Sequence, residues 1–311
     1  MKLSIVVPAY NEAASIEKFH RSLVDVLKSI GSHEIIYVDD GSRDGTLDKL
    51  YQLTTSETVK IVSLSRNFGK EAALTAGLAQ AKGDAIIMLD SDGQHPVELI
   101  PEFIAAWQAG SQVVIGVRKQ NKHHSVIARA GSWLFNVLLH LISSSKVVPG
   151  ATDFRLIDSS VKDEFLKLTE KRRITRGLID WLGFDTKYIY FNQKNRIAGK
   201  PSYNFRKLTG LAIHSFVASG PTPLYLFGWV GGFITIISGI VGLFVIIEAL
   251  ILRDPMHLDI TGSGALGLLV LFLVGIVLVS QAVTALYISS IHTEALNRPL
   301  YVIDKKKSKN L

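Results

Sequence analysis

The chain has 311 residues, 34 Lys and Arg against 27 Asp and Glu, a formal net charge of +7 and no cysteine. Without cysteine there is no disulfide framework and no thiolate metal site, and no nucleic-acid-binding motif is present, so the basic balance points to an anionic lipid surface and phosphate-bearing substrates, with no nucleic-acid partner. The hydrophobic fraction of 48% is high for a soluble enzyme and its apolar residues concentrate after Ser215, which predicts a soluble part followed by a membrane part.

Met1 to Tyr10 turns polar at Asn11 and Glu12, too soon for a signal-peptide apolar region, so the first two thirds are expected to stay in the cytoplasm. Leu3 to Val7, Glu34 to Val38, Lys60 to Leu64, Ala85 to Leu89 and Gln112 to Val117 read as strands. The clearest intervening helix has Asn11 as its cap and Ile16, Phe19, Leu23, Leu27 and Ile30 at helical spacing. Near-continuous apolar strands joined by helices predict an α/β domain with a mostly parallel sheet covered on both faces and its chemistry at the strand C-terminal ends. Those ends carry Tyr10, Asn11 and Glu12, then Asp39 and Asp40, then Asp90 and Asp92.

An amphipathic stretch from Val126 to Ile142, with His123, His124 and Arg129 at its start, suits a membrane surface or a helix packed on the sheet. The two histidines read as loop or headgroup-facing residues, and His95 as a turn residue. A polar segment through Lys171, Arg172, Arg173 and Arg176 leads to a short strand pattern at Lys187 to Phe191. Two apolar runs follow, Leu224 to Leu252 and Gly262 to Ile291, each longer than the ~20 helical residues that cross ~30 Å of hydrocarbon. Arg206 and Lys207 precede the first, Arg298 and Lys305 to Lys309 follow the second, and the link from Arg253 to Thr261 holds one basic residue, so both ends are expected in the cytoplasm.

Asp90-Ser91-Asp92 ends a strongly apolar strand, with Gln94 close behind; these hard oxygen ligands suit Mg²⁺ or Mn²⁺ bridging a diphosphate, although a lone Asp-x-Asp also serves as a turn. Asp39-Asp40-Gly41-Ser42 places a carboxylate where a base or ribose can be held, or makes a simple Asp-Gly turn.

Val6-Val7-Pro8-Ala9-Tyr10-Asn11-Glu12, Val38-Asp39-Asp40-Gly41-Ser42 and Asp90-Ser91-Asp92-Gly93-Gln94-His95-Pro96 resemble the successive motifs of glycosyltransferase family 2, which has the GT-A fold. Thr152-Asp153-Phe154-Arg155-Leu156, Arg172-Arg173-x-x-Arg176-Gly177, Arg196-x-Ala198-Gly199 and Glu294-x-x-x-Arg298-Pro299-x-Tyr301 resemble its polyprenyl-phosphate branch, and the resemblance covers nearly the whole chain. It implies that Pro8, Tyr10, Glu12, Asp39, Asp40, Asp90 and Arg206 hold a nucleotide-sugar, that Asp90, Asp92 and Gln94 hold Mg²⁺ or Mn²⁺, and that Arg118, Arg129 and Ser132 face an acceptor phosphate. Asp153, Asp92 and Arg118 are the implied catalytic residues, Asp153 matching the acidic position often taken as the base. One departure is Pro201-Ser202-Tyr203, where many relatives read Ser-Lys-Tyr; the missing cation shifts its load to Lys200, Arg206 or Lys207.

A lipid phosphate, with a second pKa near ~6, is already mostly dianionic at neutral pH, so a strong general base is optional. The site must instead overcome repulsion between an anionic nucleophile and an anionic donor. On this reading Asp153 orients Arg118 or the acceptor phosphate, unless it is spent in an ion pair with Arg155 or Arg172. The expectation is a GT-A domain over 1–205, a juxtamembrane amphipathic helix over 206–222, two transmembrane helices over 223–292 and a basic tail over 293–311, in the plasma or inner membrane with the catalytic domain and both termini cytoplasmic. The expected reaction inverts the sugar, taken from UDP-glucose or UDP-N-acetylglucosamine, onto undecaprenyl or another polyprenyl phosphate. The alternatives are another glycan acceptor or a non-catalytic nucleotide-sugar-binding anchor. A homo-oligomer is compatible with the chain, which carries no signature of its oligomeric state.

Overall fold

The computed structural model describes residues 2–54, 58–119, 148–171, 173–192 and 262–311, with residues 233 and 240 besides. The five β-branched runs form β1 (Leu3–Ala9), β2 (His33–Asp39), β3 (Val59–Ser63), β4 (Ala85–Met88) and β5 (Val113–Arg118). Two further strands, β6 (Ala151–Asp158) and β7 (Thr186–Phe191), complete a seven-stranded sheet in the order β3-β2-β1-β4-β6-β5-β7. All pairs are parallel except those of β6, which runs antiparallel to both β4 and β5. The sheet is thus the mostly parallel one expected, with one reversed strand that the apolar pattern does not announce.

Helices α1 (Ile16–Leu27), α2 (Thr46–Leu53), α3 (Lys70–Gln80), α4 (Ile100–Gln108), α5 (Ser159–Lys167) and α6 (Thr175–Trp181) cover the sheet. Successive strand residues point to opposite faces, so Ile5 and Val7 pack with Phe19, Leu23, Leu27 and Phe103 on one side, and Val6 and Val38 pack with Ala73, Leu74 and Phe165 on the other. Each fully buried Leu or Phe contributes about 1.5–3 kcal/mol. Asn11 is not the cap of α1: the helix starts at Ile16, and Asn11 stands at φ 54 in the left-handed region. That conformation is one an asparagine tolerates. Its Oδ1 accepts from the Arg43 amide at 3.0 Å and its own amide donates to Ser42 Oγ at 3.0 Å, stitching the loop after β1 to the loop after β2.

Near the start of β2, buried Glu34 accepts from Ser4 Oγ at 2.6 Å and from the Lys82 amide at 2.8 Å, and pairs with Lys60 at 2.9 Å. Burial alone would raise this carboxyl, but those partners outweigh it and hold it at about 2.

The described residues up to 192, together with Arg298–Leu311, make one compact unit, and α7 (Gly262–Ala295) belongs to a second. Residues 298–311, read from the sequence as a basic tail, dock antiparallel along the edge strand β3. The Ile61 and Lys309 backbones exchange hydrogen bonds at 3.0 and 2.9 Å, Leu64 bridges Ile303, and Tyr301 and Ile303 pack on the core. α7 is 34 residues long. Among the described residues no helix is long and apolar enough to cross a membrane. The structure therefore does not establish the expected hairpin: apart from residues 233 and 240 its first run lies outside the described residues, and so do part of the side chains of α7, where the second run falls.

Candidate active site

The polar residues at the strand C-terminal ends fall into two groups. After β1 and β2, Tyr10 is exposed while Asp39 and Asp40 are buried, and Ala9 pairs with Asp39 across the sheet. Pro8 lies within β1, and its carbonyl accepts from Ser91 Oγ at 3.2 Å. The Glu12 amide donates to Thr46 Oγ1 at 2.8 Å, and its carboxylate accepts from Ser15 Oγ. Asp39 accepts from the Ser42 amide at 3.2 Å and Ser63 Oγ at 3.4 Å. Both oxygens of Asp40 are taken by backbone amides, Phe68 at 2.7 Å and Gly69 at 2.9 Å. Burial raises the Asp40 carboxyl, opposed by those two amides. Asp40 thus shapes the loop that leads into α3. Gly41, at φ +69, lets that loop approach: a Cβ there would stand 2.6 Å from the Arg66 carbonyl carbon.

The second group surrounds a cavity of about 310 Å³ whose walls include Asp90, Gln94, Arg118, Asp153 and Arg176. The antiparallel strand explains how it forms. β4 and β6 pair Met88 with Arg155, and continuing that register two residues sets Asp153, near the start of β6, beside Asp90, just past the end of β4. Lys70, the first residue of α3, fills the space between them: its Nζ lies 2.6 Å from Asp90 Oδ1 and 2.6 Å from Asp153 Oδ2. Burial would lower the Lys70 pKa, but the two carboxylates raise it. Burial would likewise raise the Asp153 carboxyl, yet the Lys70 ammonium beside it, with Arg176 and Arg155 further out, holds it below the usual carboxylate range. Asp153 is therefore paired with Lys70 and not with Arg155. Arg155, 1% exposed, is spent on Asp180 at 2.6 and 3.3 Å, and Arg172 lies outside the described residues.

Turn geometry orders the Asp90 to His95 segment. The Gln94 amide donates to Asp92 Oδ1 at 3.0 Å, Gly93 has φ 75, and the Asp90 amide donates to His95 Nδ1 at 3.1 Å. His95 is buried and stacks on Phe154 at 5.3 Å, and burial pushes its pKa down. It is the turn residue expected, with its Nδ1 used as an acceptor. Arg118 ends β5, and its amide donates to the Gly150 carbonyl at 2.8 Å. Asp90, Asp92 and Gln94 present hard oxygen donors on one short turn, and Asp90 and Gln94 open onto the cavity, a donor set that fits Mg²⁺ or Mn²⁺ completed by phosphate oxygens. Among the described residues no three or more His, Cys, Asp or Glu side chains cluster as a self-sufficient metal site.

The structure thus gathers Asp90, Gln94, Arg118 and Asp153 around one cavity. Asp92 follows on the same turn, and Pro8, Tyr10, Glu12, Asp39 and Asp40 stand together at the ends of β1 and β2. Arg129, Ser132 and Arg206 lie outside the described residues, as do His123, His124 and the segment with Pro201-Ser202-Tyr203. The sequence reading gave no role to Lys70 or, individually, to Arg176. A cation in the first turn of a helix opposes the macrodipole and calls for an acidic partner, and that was the available signal for Lys70.

A doubly covered, mostly parallel sheet with acidic turns at its carboxyl ends, and beside them a cavity walled by two aspartates and two arginines, is the architecture of α/β proteins that bind ligands at those ends. Residues 4–166 match the family model described as "Glycosyl transferase family 2". Over 312 residues the chain is 34% identical to the bactoprenol glucosyl transferase of Shigella phage SfV, covering 99% of this chain and all of that one. It is 33% identical to an uncharacterized glycosyltransferase of Synechocystis sp. over 97% of this chain and 95% of the relative. Among solved structures, glucosyl-3-phosphoglycerate synthase from Mycobacterium tuberculosis, in complex with Mn²⁺, UDP and phosphoglyceric acid, superposes with a TM-score of 0.51 at 22% identity, covering 70% of this chain and 76% of that one. The chain belongs to glycosyltransferase family 2, with the family's GT-A fold.

Proposed function

We propose that the protein transfers glucose from UDP-glucose to a polyprenyl phosphate, with inversion, at the cytoplasmic face of the plasma or inner membrane. The observation that carries this reading is the cavity in which the Asp90 turn and Asp153 meet Arg118 and Arg176, in a chain alignable end to end with proteins named bactoprenol glucosyl transferase. Those names favour glucose over N-acetylglucosamine. In the reaction an acceptor phosphate oxygen forms a bond to the anomeric carbon as the bond from that carbon to the donor diphosphate breaks, and the electron pair leaves with the nucleoside diphosphate. Asp39 and the loop it braces hold the nucleoside; Arg118 receives the acceptor phosphate.

Asp153, held ionised by Lys70, orients the groups around it and does not serve as a strong base. Asp90, Asp92 and Gln94 would hold a divalent ion, which would supply positive charge for the departing diphosphate. The membrane anchor is a two-span hairpin. Its second span lies in α7, where Leu266, Val270, Val274 and Val277 are exposed at helical spacing, as lipid-facing side chains are.

The test is transfer of label from a panel of radiolabelled nucleotide-sugars into lipid extracts, using purified full-length protein, undecaprenyl phosphate and Mg²⁺ or Mn²⁺. Label from UDP-glucose alone, abolished by Asp92→Ala, is expected. Label from UDP-N-acetylglucosamine instead corrects the donor. No label from any donor in folded protein moves the reading to another acceptor or to a non-catalytic anchor.

A further inference from the structure

Arg176 lies in a run that family resemblance singles out without giving this arginine a task, and the fold places it with unusual care. α6 is fixed at three points. The Thr175 amide donates to Glu71 Oε2 at 2.8 Å, and the Thr175 hydroxyl donates to the same oxygen. The Arg176 carbonyl accepts from Arg155 Nη1 at 3.1 Å. Asp180, one turn on, holds the same guanidinium at 2.6 and 3.3 Å. Arg155 also donates to the Thr152 carbonyl at 3.0 Å, so one buried arginine ties α6 to the β6 wall of the cavity.

What this scaffold presents to the cavity is the Arg176 side chain, in the same cavity wall set as Arg118. The other cations nearby are committed: Lys70 to Asp90 and Asp153, Arg155 to Asp180. Among the described residues the Arg176 guanidinium makes no hydrogen bond or ion pair, and it acts on Asp153 only through space. A planar fork of donors left open beside a second arginine is suited to the oxygens of a phosphate.

We propose that Arg176 binds the acceptor phosphate together with Arg118, so that a dianionic phosphomonoester is held by two guanidiniums while Lys70 stays with the carboxylates. The inference rests on the polyprenyl-phosphate reading above. The cavity has two phosphate sources to choose from, the donor diphosphate and the acceptor. Asp90 and Gln94, which would carry the donor's divalent ion, are also walls, but Tyr10, Asp39 and Asp40 of the nucleotide group are not, whereas Arg118 and Asp153 of the acceptor side are, which favours the acceptor.

The experiment uses full-length protein in detergent with Arg176→Ala and Arg176→Lys, reading the KM for undecaprenyl phosphate and the Kd for UDP. Arg176→Ala is expected to raise the acceptor KM at least tenfold and leave the Kd for UDP within twofold, with Arg176→Lys in between, since a point charge lacks the fork. An acceptor KM within twofold of wild type overturns the inference, as does a loss expressed in UDP binding. If Arg176→Ala does not fold, Arg176→Lys decides: an acceptor KM raised more than twofold with an unchanged Kd for UDP upholds the inference, and an acceptor KM within twofold of wild type overturns it. If wild-type protein transfers no sugar to the lipid, the functional reading has failed by itself, and dodecyl phosphate becomes the probe. Binding that Arg176→Ala abolishes upholds the arginine's role; equal or no binding by both proteins overturns it.

Discussion

Lys70 is the internal counterion on which the active-site geometry depends, and Lys70→Met is the perturbation that exposes it. Its Nζ stands 2.6 Å from one oxygen each of Asp90 and Asp153, so those two oxygens lie within twice that distance, about 5.2 Å. With the ammonium gone, two carboxylates at that separation repel by about 3 kcal/mol at an effective dielectric near 20. Side-chain exposures of 39% for Lys70, 28% for Asp90 and 22% for Asp153 admit solvent screening, which reduces the cost to about 1–2 kcal/mol. For a domain of this size that is a fall in Tm of about 2–8 °C. Thermal unfolding of the purified protein, followed by tryptophan fluorescence, measures it. Asp153→Asn added to Lys70→Met removes one of the two like charges and should recover at least half of the lost stability, while transfer activity stays at least tenfold down in both variants. Additive losses in the double variant, or an unchanged Tm in Lys70→Met, would refute the counterion account.

Asp153 also fixes a pH dependence. Its pKa is depressed in the folded protein, so its stabilising contribution is complete above the unfolded carboxylate value and is lost as pH falls through the lower folded value. In Lys70→Met burial dominates, and the acid limb of the pH–rate profile should move to higher pH; a stationary limb contradicts this. Glu34, held at about 2 against an ordinary 4.5, contributes about 3 kcal/mol at neutral pH. Glu34→Gln should lower Tm with little change in KM, and a variant of wild-type Tm would contradict the role of the Ser4, Lys60 and Lys82 contacts. Gly41→Ala drives a Cβ into the Arg66 and Asn67 backbone at positive φ, and should weaken UDP binding in calorimetry by about tenfold, corresponding to ~1–2 kcal/mol of strain; unimpaired binding would separate this loop from the nucleotide. Removing residues 299–311 uncovers the β3 edge and the Ser63 contacts to Asp304 and Ser308. It should lower Tm by several degrees and promote aggregation seen by size-exclusion chromatography; a monodisperse protein of wild-type Tm would argue against a structural role for the tail.

Much of the sheet was legible because buried parallel strands need continuous apolar side chains, and Leu3–Ala9, His33–Asp39 and Ala85–Met88 supply them. β6 was not, because Thr152, Asp153, Arg155 and Asp158 make it look like polar connection. Arg155 is buried there only because Asp180, far along the chain, neutralises it. The grouping of Asp90 with Asp153 depends on which strand lies beside β4, and no local pattern records strand order. Asn11 resembled a cap because capping and left-handed turns draw on the same residue type. The tail read only as a basic tail, from Arg298 and Lys305 to Lys309, while its docking uses Tyr301, Ile303 and backbone hydrogen bonds, which are interactions without a strong sequence period.

The central claim is single displacement at the anomeric carbon by a lipid phosphate. Its most direct measurement is the structure of the product made by purified protein from UDP-glucose and undecaprenyl phosphate, determined by mass spectrometry and by the proton coupling at the anomeric carbon. The account predicts one hexose on a monophosphate lipid in β linkage. An α-linked product, a lipid diphosphate, or glucose released only into water would contradict it.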